Sequence, residues 1–158
     1  MITTLLSWEG GDIVDKHQLF RQFVGFTTAV HEVKHEMTKD VKTADITPVQ
    51  YDILEYIAVS QPVTLSQISD CQHLSMPNAS REIRKLQDKG LCEKYTSAED
   101  RRVQYIRLSP EGQALMDKAF QVIESRFLER IAGLSDGQLG EISRALDVLQ
   151  SHVFSQKQ

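Results

Sequence analysis

Residues 75–90, SMPNASREIRKLQDKG, decide how the rest of the chain reads. Ser75 offers a hydroxyl to the free N–H groups of a helix start, and Pro77 suits the first turn that follows. At about 100° per residue Ala79, Ile83 and Leu86 share one side. Pro77, Arg81, Arg84, Lys85 and Asp88 lie opposite, with Asn78 and Ser80 on the flanks. Gly90 supplies the stop. The stretch is a short helix with a narrow apolar stripe and a largely basic outer face. An isolated helix of this kind needs only water on its charged side, so its neighbours in the chain carry the decision.

On the N-terminal side, Thr64-Leu65-Ser66-Gln67 has the cap-x-x-Gln pattern of a helix start. Leu65 and Ile68 are then available to receive the apolar stripe, and Gln72-His73-Leu74 forms a tight turn between the two helices. On the C-terminal side, Leu91 to Tyr95 and Val103 to Leu108 are short β-prone runs. They are bounded by Gly90 and by Ser109-Pro110, and the polar Thr96 to Arg102 between them makes a hairpin with a long charged tip. Further out, Thr47-Pro48-Val49-Gln50, Ser109-Pro110 and Ser135-Asp136-Gly137-Gln138 mark other helix starts. With an opening helix from about Asp12, six helical segments emerge. The expected fold is mainly α: a winged helix-turn-helix with a β-hairpin wing, flanked by terminal helices.

Composition sets the outer bounds. At 158 residues and 18.0 kDa the chain has the length of one domain and can bury a core without staples. Its 41% hydrophobic and 25% charged content is that of an ordinary globular protein. No apolar run suits a membrane span, and the first residues lack the basic region of a secretory leader. Cys71 and Cys92 cannot build a multi-bridge framework or a four-ligand zinc site. A cytoplasmic location without membrane contact is expected, and no cofactor is implied.

The formal charge of -4 conceals an uneven distribution. Between Ser75 and Arg107 eight basic residues face five acidic ones, so a local surplus of three sits in an otherwise acidic body. That is the outline of an anion-binding face. On the helix, Arg81 can fork onto guanine and Asn78 can pair with adenine, while Arg84 and Lys85 further along reach phosphates. On the hairpin tip Glu99-Asp100-Arg101-Arg102, a guanidinium held out on a ribbon suits a narrow minor groove. Asp100 belongs there if its carboxylate steadies an arginine by a charge-assisted hydrogen bond. Double-stranded DNA is the partner this chemistry fits, with a winged module that docks protein as the alternative.

The outer helices share a spacing. Phe23, Phe26, Val30, Val33 and Met37 recur at steps of three and four, as do Leu139, Ile142, Leu146, Leu149 and Val153. Such thin seams either complete a monomer core or interlock with a second chain, and their presence at both ends favours a homodimer.

From about Thr47 to Leu115 the chain resembles the MarR family of winged helix-turn-helix transcription regulators. The resemblance rests on Thr47-Pro48-Val49-Gln50-Tyr51, on Ser75 to Arg81, on Lys89-Gly90-Leu91, and on Asp100-Arg101-Arg102 leading into Leu108-Ser109-Pro110-Glu111-Gly112. It implies a single unit over 1–158, with a dimerisation helix at 12–40, the DNA-binding region at 47–108 and dimerisation helices at 109–154. It also implies a homodimeric repressor on a palindromic operator, answering a small-molecule effector lodged between the dimerisation helices and the winged domain. Ser75, Pro77, Asn78, Ser80 and Arg81 become the recognition-helix contacts, Arg102 the wing arginine with Asp100 as its support, and Arg101 a neighbouring phosphate contact. Gln72, where the family usually has an apolar residue, and His73, where glycine is common, depart from the pattern.

Two motifs point elsewhere. His31-Glu32-Val33-Lys34-His35 matches the H-E-x-x-H of zinc metallopeptidases, which would make the protein a metal-dependent peptidase or a metal sensor. The two histidines share a face turned away from the apolar seam, no third ligand stands out, and a chance match is expected, with no enzyme activity and no metal. The resemblance also raises a thiol sensor. Cys92 reads as a small core residue, and Cys71 lacks a cluster to stabilise a thiolate.

Overall fold

The computed structural model describes residues 14–41 and 45–155. Their contacts divide the chain into two units, residues 1–39 and 40–158. The first unit is carried by one helix, α1 (Lys16–Thr38), whose N-cap Asp15 accepts a hydrogen bond from the His17 backbone. The expected start near Asp12 lies outside the described residues. No residue of α1 is buried.

In the second unit α2 (Pro48–Ser60), α3 (Leu65–Cys71) and α4 (Met76–Asp88) precede an antiparallel hairpin of β1 (Cys92–Thr96) and β2 (Gln104–Leu108). Then come α5 (Pro110–Ile131), α6 (Asp136–Leu149) and a closing π-helical turn at Gln150–Phe154. Each start follows the local chemistry of its cap. Thr47 and Thr64 accept from the backbones of Gln50 and Gln67, whose side chains reach back to the cap N–H groups. Ser135 and Gln138 repeat the arrangement at α6. The predicted strand at 91–95 is displaced by one residue at both ends, and that at 103–108 begins one residue later. The register pairs Cys92 with Leu108 and Thr96 with Gln104.

One strand-like contact carries no sequence signature. Val63, in the α2–α3 connection, exchanges both backbone hydrogen bonds with Ile106, at 3.1 and 2.7 Å. The Gln61 side chain then accepts from the Leu108 N–H at 3.0 Å. The hairpin is thereby anchored to the helices on its β2 side.

The core lies in this unit. Tyr51, Ile53, Leu54 and Ile57 from α2 pack with Val63, Ile68, Ile83, Leu86, Ile106 and Met116, all buried. Burying an aliphatic side chain of this size contributes about 1.5–3 kcal/mol. The predicted stripe of α4 is the buried one: Ala79, Ile83 and Leu86 are completely covered. Between α3 and α4 the chain turns at His73, which takes φ +51°, a left-handed value that histidine tolerates better than branched residues do. Ser69 bonds the Leu74 carbonyl across this turn at 2.6 Å. Gln72 has a use for its polarity, since its amide donates to the Asp52 carbonyl of α2 at 3.2 Å.

The seam helices are only partly covered, with Phe23, Val33, Met37, Leu139 and Leu149 half-buried. Neither α1 nor α6 contains a buried residue, and Phe26, Val30, Ile142, Leu146 and Val153 are all exposed. The seams therefore do not complete the core of their own units. Among the described residues no helix is long and apolar enough to cross a membrane.

The Leu-Ser-Pro-x-Gly segment has a steric reason. Ser109 caps α5 by accepting from the Gly112 N–H at 2.9 Å and donates its hydroxyl to the Gly90 carbonyl at 2.5 Å. Gly90 itself takes φ +70°, which ends α4 without a Cβ clash. A Cβ on Gly112 would stand 1.9 Å from the Leu91 carbonyl oxygen. We expect Gly112→Ala to force these backbones apart and destabilise the protein by about 1–3 kcal/mol. Urea denaturation should show a lower midpoint at unchanged slope, and an unaltered midpoint would contradict the close approach.

Candidate nucleic-acid interface

Burial of Ala79, Ile83 and Leu86 fixes the rotation of α4 and so decides what it presents. Met76, Pro77, Asn78, Arg81, Arg84, Lys85 and Asp88 are exposed, and Ser80 is half-buried on the flank. Ser75 is the N-cap, its hydroxyl accepting from the Asn78 backbone at 3.4 Å. Pro77 carries no N–H and that of Asn78 is taken by Ser75, so the helix end offers mainly its partial positive charge beside the exposed Pro77 and Asn78. Arg81 reaches back to the Asn78 side-chain oxygen at 3.4 Å, so the two candidate base-reading groups sit within reach of one another.

A part-buried polar connection holds α4 to α2. The Gln50 side chain accepts from the Thr47 N–H at 3.2 Å and donates to the Glu82 carboxylate at 2.9 Å. Glu82 also accepts from Lys85 at 2.7 Å. The hydrogen bond from Lys85, followed by that from Gln50, holds the Glu82 carboxyl below its usual pKa against a smaller opposing effect of burial. Lys85, a candidate phosphate contact, is thus engaged by Glu82 within its own helix.

The wing tip is ordered by its polar side chains. Ser97 accepts from the Glu99 and Asp100 N–H groups at 3.2 and 3.3 Å, and its own N–H donates to the Val103 carbonyl at 3.0 Å. The Asp100 carboxylate accepts from the backbone N–H of Arg102 at 2.9 Å. Its observed hydrogen bond is therefore to the main chain that carries the arginine, not to a guanidinium. Arg101 and Arg102 are both exposed. On the opposite face of the ribbon, Arg107 pairs with Glu93 at 2.7 Å and lies 4.8 Å from the Tyr95 ring centroid.

Between α4 and β1 runs a groove of about 350 Å³ lined by Ser80, Arg81, Arg84, Gln87 and Lys94. Gln87 and Lys94 were not among the sequence-derived contacts. Strand alternation was the available signal, because Lys94 lies on the same face of β1 as the buried Cys92.

A second depression, about 500 Å³, lies away from α4 and is lined by apolar Val41, Ile46, Leu115, Ala119 and Val122, with Asp40, Glu111 and Lys118 at its margin. Tyr51 forms part of its wall. The phenol oxygen is buried without a hydrogen-bond partner among the described residues, and burial, reinforced by Glu55 and Asp52, pushes its pKa up to about 12.

His31 and His35 are exposed on α1, and among the described residues no group of three or more His, Cys, Asp or Glu side chains is placed to hold a metal ion. Cys92 is buried against the Ile83 carbonyl, and burial raises its thiol to about 11, while Cys71 is exposed.

Comparison with known proteins agrees with this architecture. The family model described as the MarR family matches residues 44–103. An uncharacterized HTH-type transcriptional regulator of Bacillus subtilis, YkoM, is 25% identical over 117 residues, covering 74% of this chain and 76% of its own. Among solved structures, a MarR family protein from Bacillus stearothermophilus superposes with a TM-score of 0.72 at 15% identity, covering 90% of this chain and 99% of that one. Streptococcus pneumoniae FabT in complex with DNA gives 0.58 at 19% identity, with coverage of 87% and 96%. MepR of S. aureus bound to ethidium bromide gives 0.59 at 24% identity, again covering 87% and 96%. At these identities the solved structures establish the fold.

The lowered pKa of Glu82 has a definite sign for stability. A carboxyl held below its unfolded value contributes stability above that value and loses it as pH falls through the folded one. Wild type should therefore lose stability on acidification below about pH 4.3, the usual glutamate value. Glu82→Gln should lose less over the same range, as read by thermal unfolding at a series of pH values. Parallel profiles for the two proteins would contradict the assigned cause.

Proposed function

We propose that the chain, whose residues 44–103 match the family model described as the MarR family, is a sequence-specific, duplex-DNA-binding transcription regulator that acts as a homodimer and has no catalytic step. The observation that carries this reading is α4 itself. Its apolar stripe is completely buried, and its basic face is turned outward beside a ribbon tipped by Arg101 and Arg102.

In this reading the first turns of α4 enter the major groove. Ser75 and Pro77 approach the backbone at the helix start, while Asn78, Ser80 and Arg81 meet base edges. Arg84 and Arg101 contact phosphates, and Lys85 joins them when it exchanges Glu82 for the DNA. Arg102 enters the minor groove on a turn that Asp100 stabilises through the backbone.

The partly covered seams of α1 and α6 support the homodimer, since exposed apolar stripes at helical spacing are stabilised by a second copy. Two copies then place two α4 helices on one palindromic operator, with half-sites about 34–36 Å apart. The domain roles follow: residues 12–40 and 109–154 serve dimerisation and residues 47–108 serve DNA binding.

The apolar depression beside Tyr51 supports a small-molecule effector, whose binding would relieve repression by altering the spacing of the recognition helices. Such a regulator works where the chromosome is, in the cytoplasm.

Duplexes selected from a random library supply the operator for a direct test. Arg102→Ala should then weaken operator binding by about 1–3 kcal/mol while the dimer sediments unchanged. Wild-type affinity in that variant would contradict the wing assignment, and failure of the native protein to retain any duplex at low salt would overturn the function. For the thiols, a reagent applied to native protein should modify Cys71 and spare Cys92, and equal reaction at both would contradict the buried placement of Cys92.

A further inference from the structure

We infer that the groove between α4 and β1 seats a backbone phosphate of the bound duplex, and that Lys94 is the residue of the wing strand that closes on it. The inference rests on the DNA-binding reading above and adds a contact which neither the recognition helix nor the wing tip supplies.

Local geometry puts the groove together. On α4, Ser80, Arg84 and Gln87 follow one another at steps of four and three, so they share a face, with Arg81 beside them. On β1, side chains alternate, and Cys92 points beneath α4, its sulfur 3.8 Å from the Ile83 carbonyl. Lys94, two residues nearer the wing tip, emerges on that same side and lines the groove opposite α4.

The charge is of one sign. Arg81, Arg84 and Lys94 are cationic, Ser80 and Gln87 are neutral donors, and no carboxylate lines the groove. Of the acids on α4 and β1, Glu82 is tied to Lys85 and Gln50, Glu93 to Arg107 on the far face of the ribbon, and Asp88 at the end of α4 is not part of the lining. Arg84 and Lys94 form no ion pair among the described residues. Three cations left without a counter-charge repel one another, and an anion between them removes that repulsion.

The shape of duplex DNA identifies the anion. With α4 in the major groove and the wing in the adjoining minor groove, the phosphodiester strand separating those grooves must pass between α4 and the ribbon. That is where this groove lies. A phosphate there touches no base, so the contact strengthens binding without choosing sequence.

The test is the salt dependence of duplex binding, measured by fluorescence anisotropy with the full chain on its selected operator and on a scrambled duplex. Loss of one phosphate contact should reduce the magnitude of the slope of log K against log salt by about 0.9. Lys94→Gln removes one such contact from each protomer of the dimer, so the slope should fall by about 1.8 on both duplexes, with affinity falling on the order of a hundredfold at 0.1 M salt on each. Lys94→Arg should restore the slope, and both variants should melt with the wild type, since Lys94 is exposed. An unchanged slope in Lys94→Gln while the wild type binds normally would overturn the groove alone. No duplex binding by the wild type would remove the parent reading and the groove with it. If the slope is unchanged but inorganic phosphate at matched ionic strength raises the melting temperature of wild type and not of Lys94→Gln, the groove is a site for free anions and the DNA assignment fails.

Discussion

Burial of three side chains, Ala79, Ile83 and Leu86, governs what this protein can present to a partner. A helix of thirteen residues has little stability alone, so α4 exists because its apolar stripe is covered. Rotation by one residue, about 100°, would bring Ser80, Arg84 or Gln87 under the core and expose Ile83. Desolvating a charged group in that position costs several kcal/mol, far more than any local gain. The same packing that stabilises the helix therefore fixes its basic face outward. The polar link from Thr47 through Gln50 to Glu82 fastens it a second time, from the start of α2.

Much of this was legible because it is local. Helix starts at Thr47, Thr64, Ser75, Ser109 and Ser135 depend on a hydroxyl and the N–H groups two or three residues away, and all five caps are where the sequence places them. The period of the α4 stripe is equally local. What stayed hidden joins residues far apart in the chain. The Val63–Ile106 bridge follows no alternation pattern, and the Gln50–Glu82 bond spans 32 positions. The polarity of Gln72 is explained only by the Asp52 carbonyl, twenty residues away in the chain. The sequence suggests that Asp100 steadies an arginine side chain, whereas its carboxylate accepts from the Arg102 backbone N–H, a local turn contact that charge pairing alone does not indicate.

Electrostatics completes the picture for an acidic chain with a proposed polyanionic partner. The overall charge of -4 matters less than where carboxylates are committed. Glu82 and Glu93 are each tied to a cation of their own, and Asp100 is turned onto the main chain. The cations on the α4 flank and the wing tip are thereby left to face outward, and an acidic body elsewhere discourages indiscriminate adsorption to nucleic acid.

The central claim is that two copies of α4, each with its arginine-tipped wing, engage one duplex together. Hydroxyl-radical footprinting of the purified chain on a selected operator tests this most directly. The account predicts two protected segments on one face of the duplex, about one helical turn apart, each flanked by minor-groove protection that Arg102→Ala abolishes. A single isolated footprint, or protection without the two-fold pattern, would contradict it.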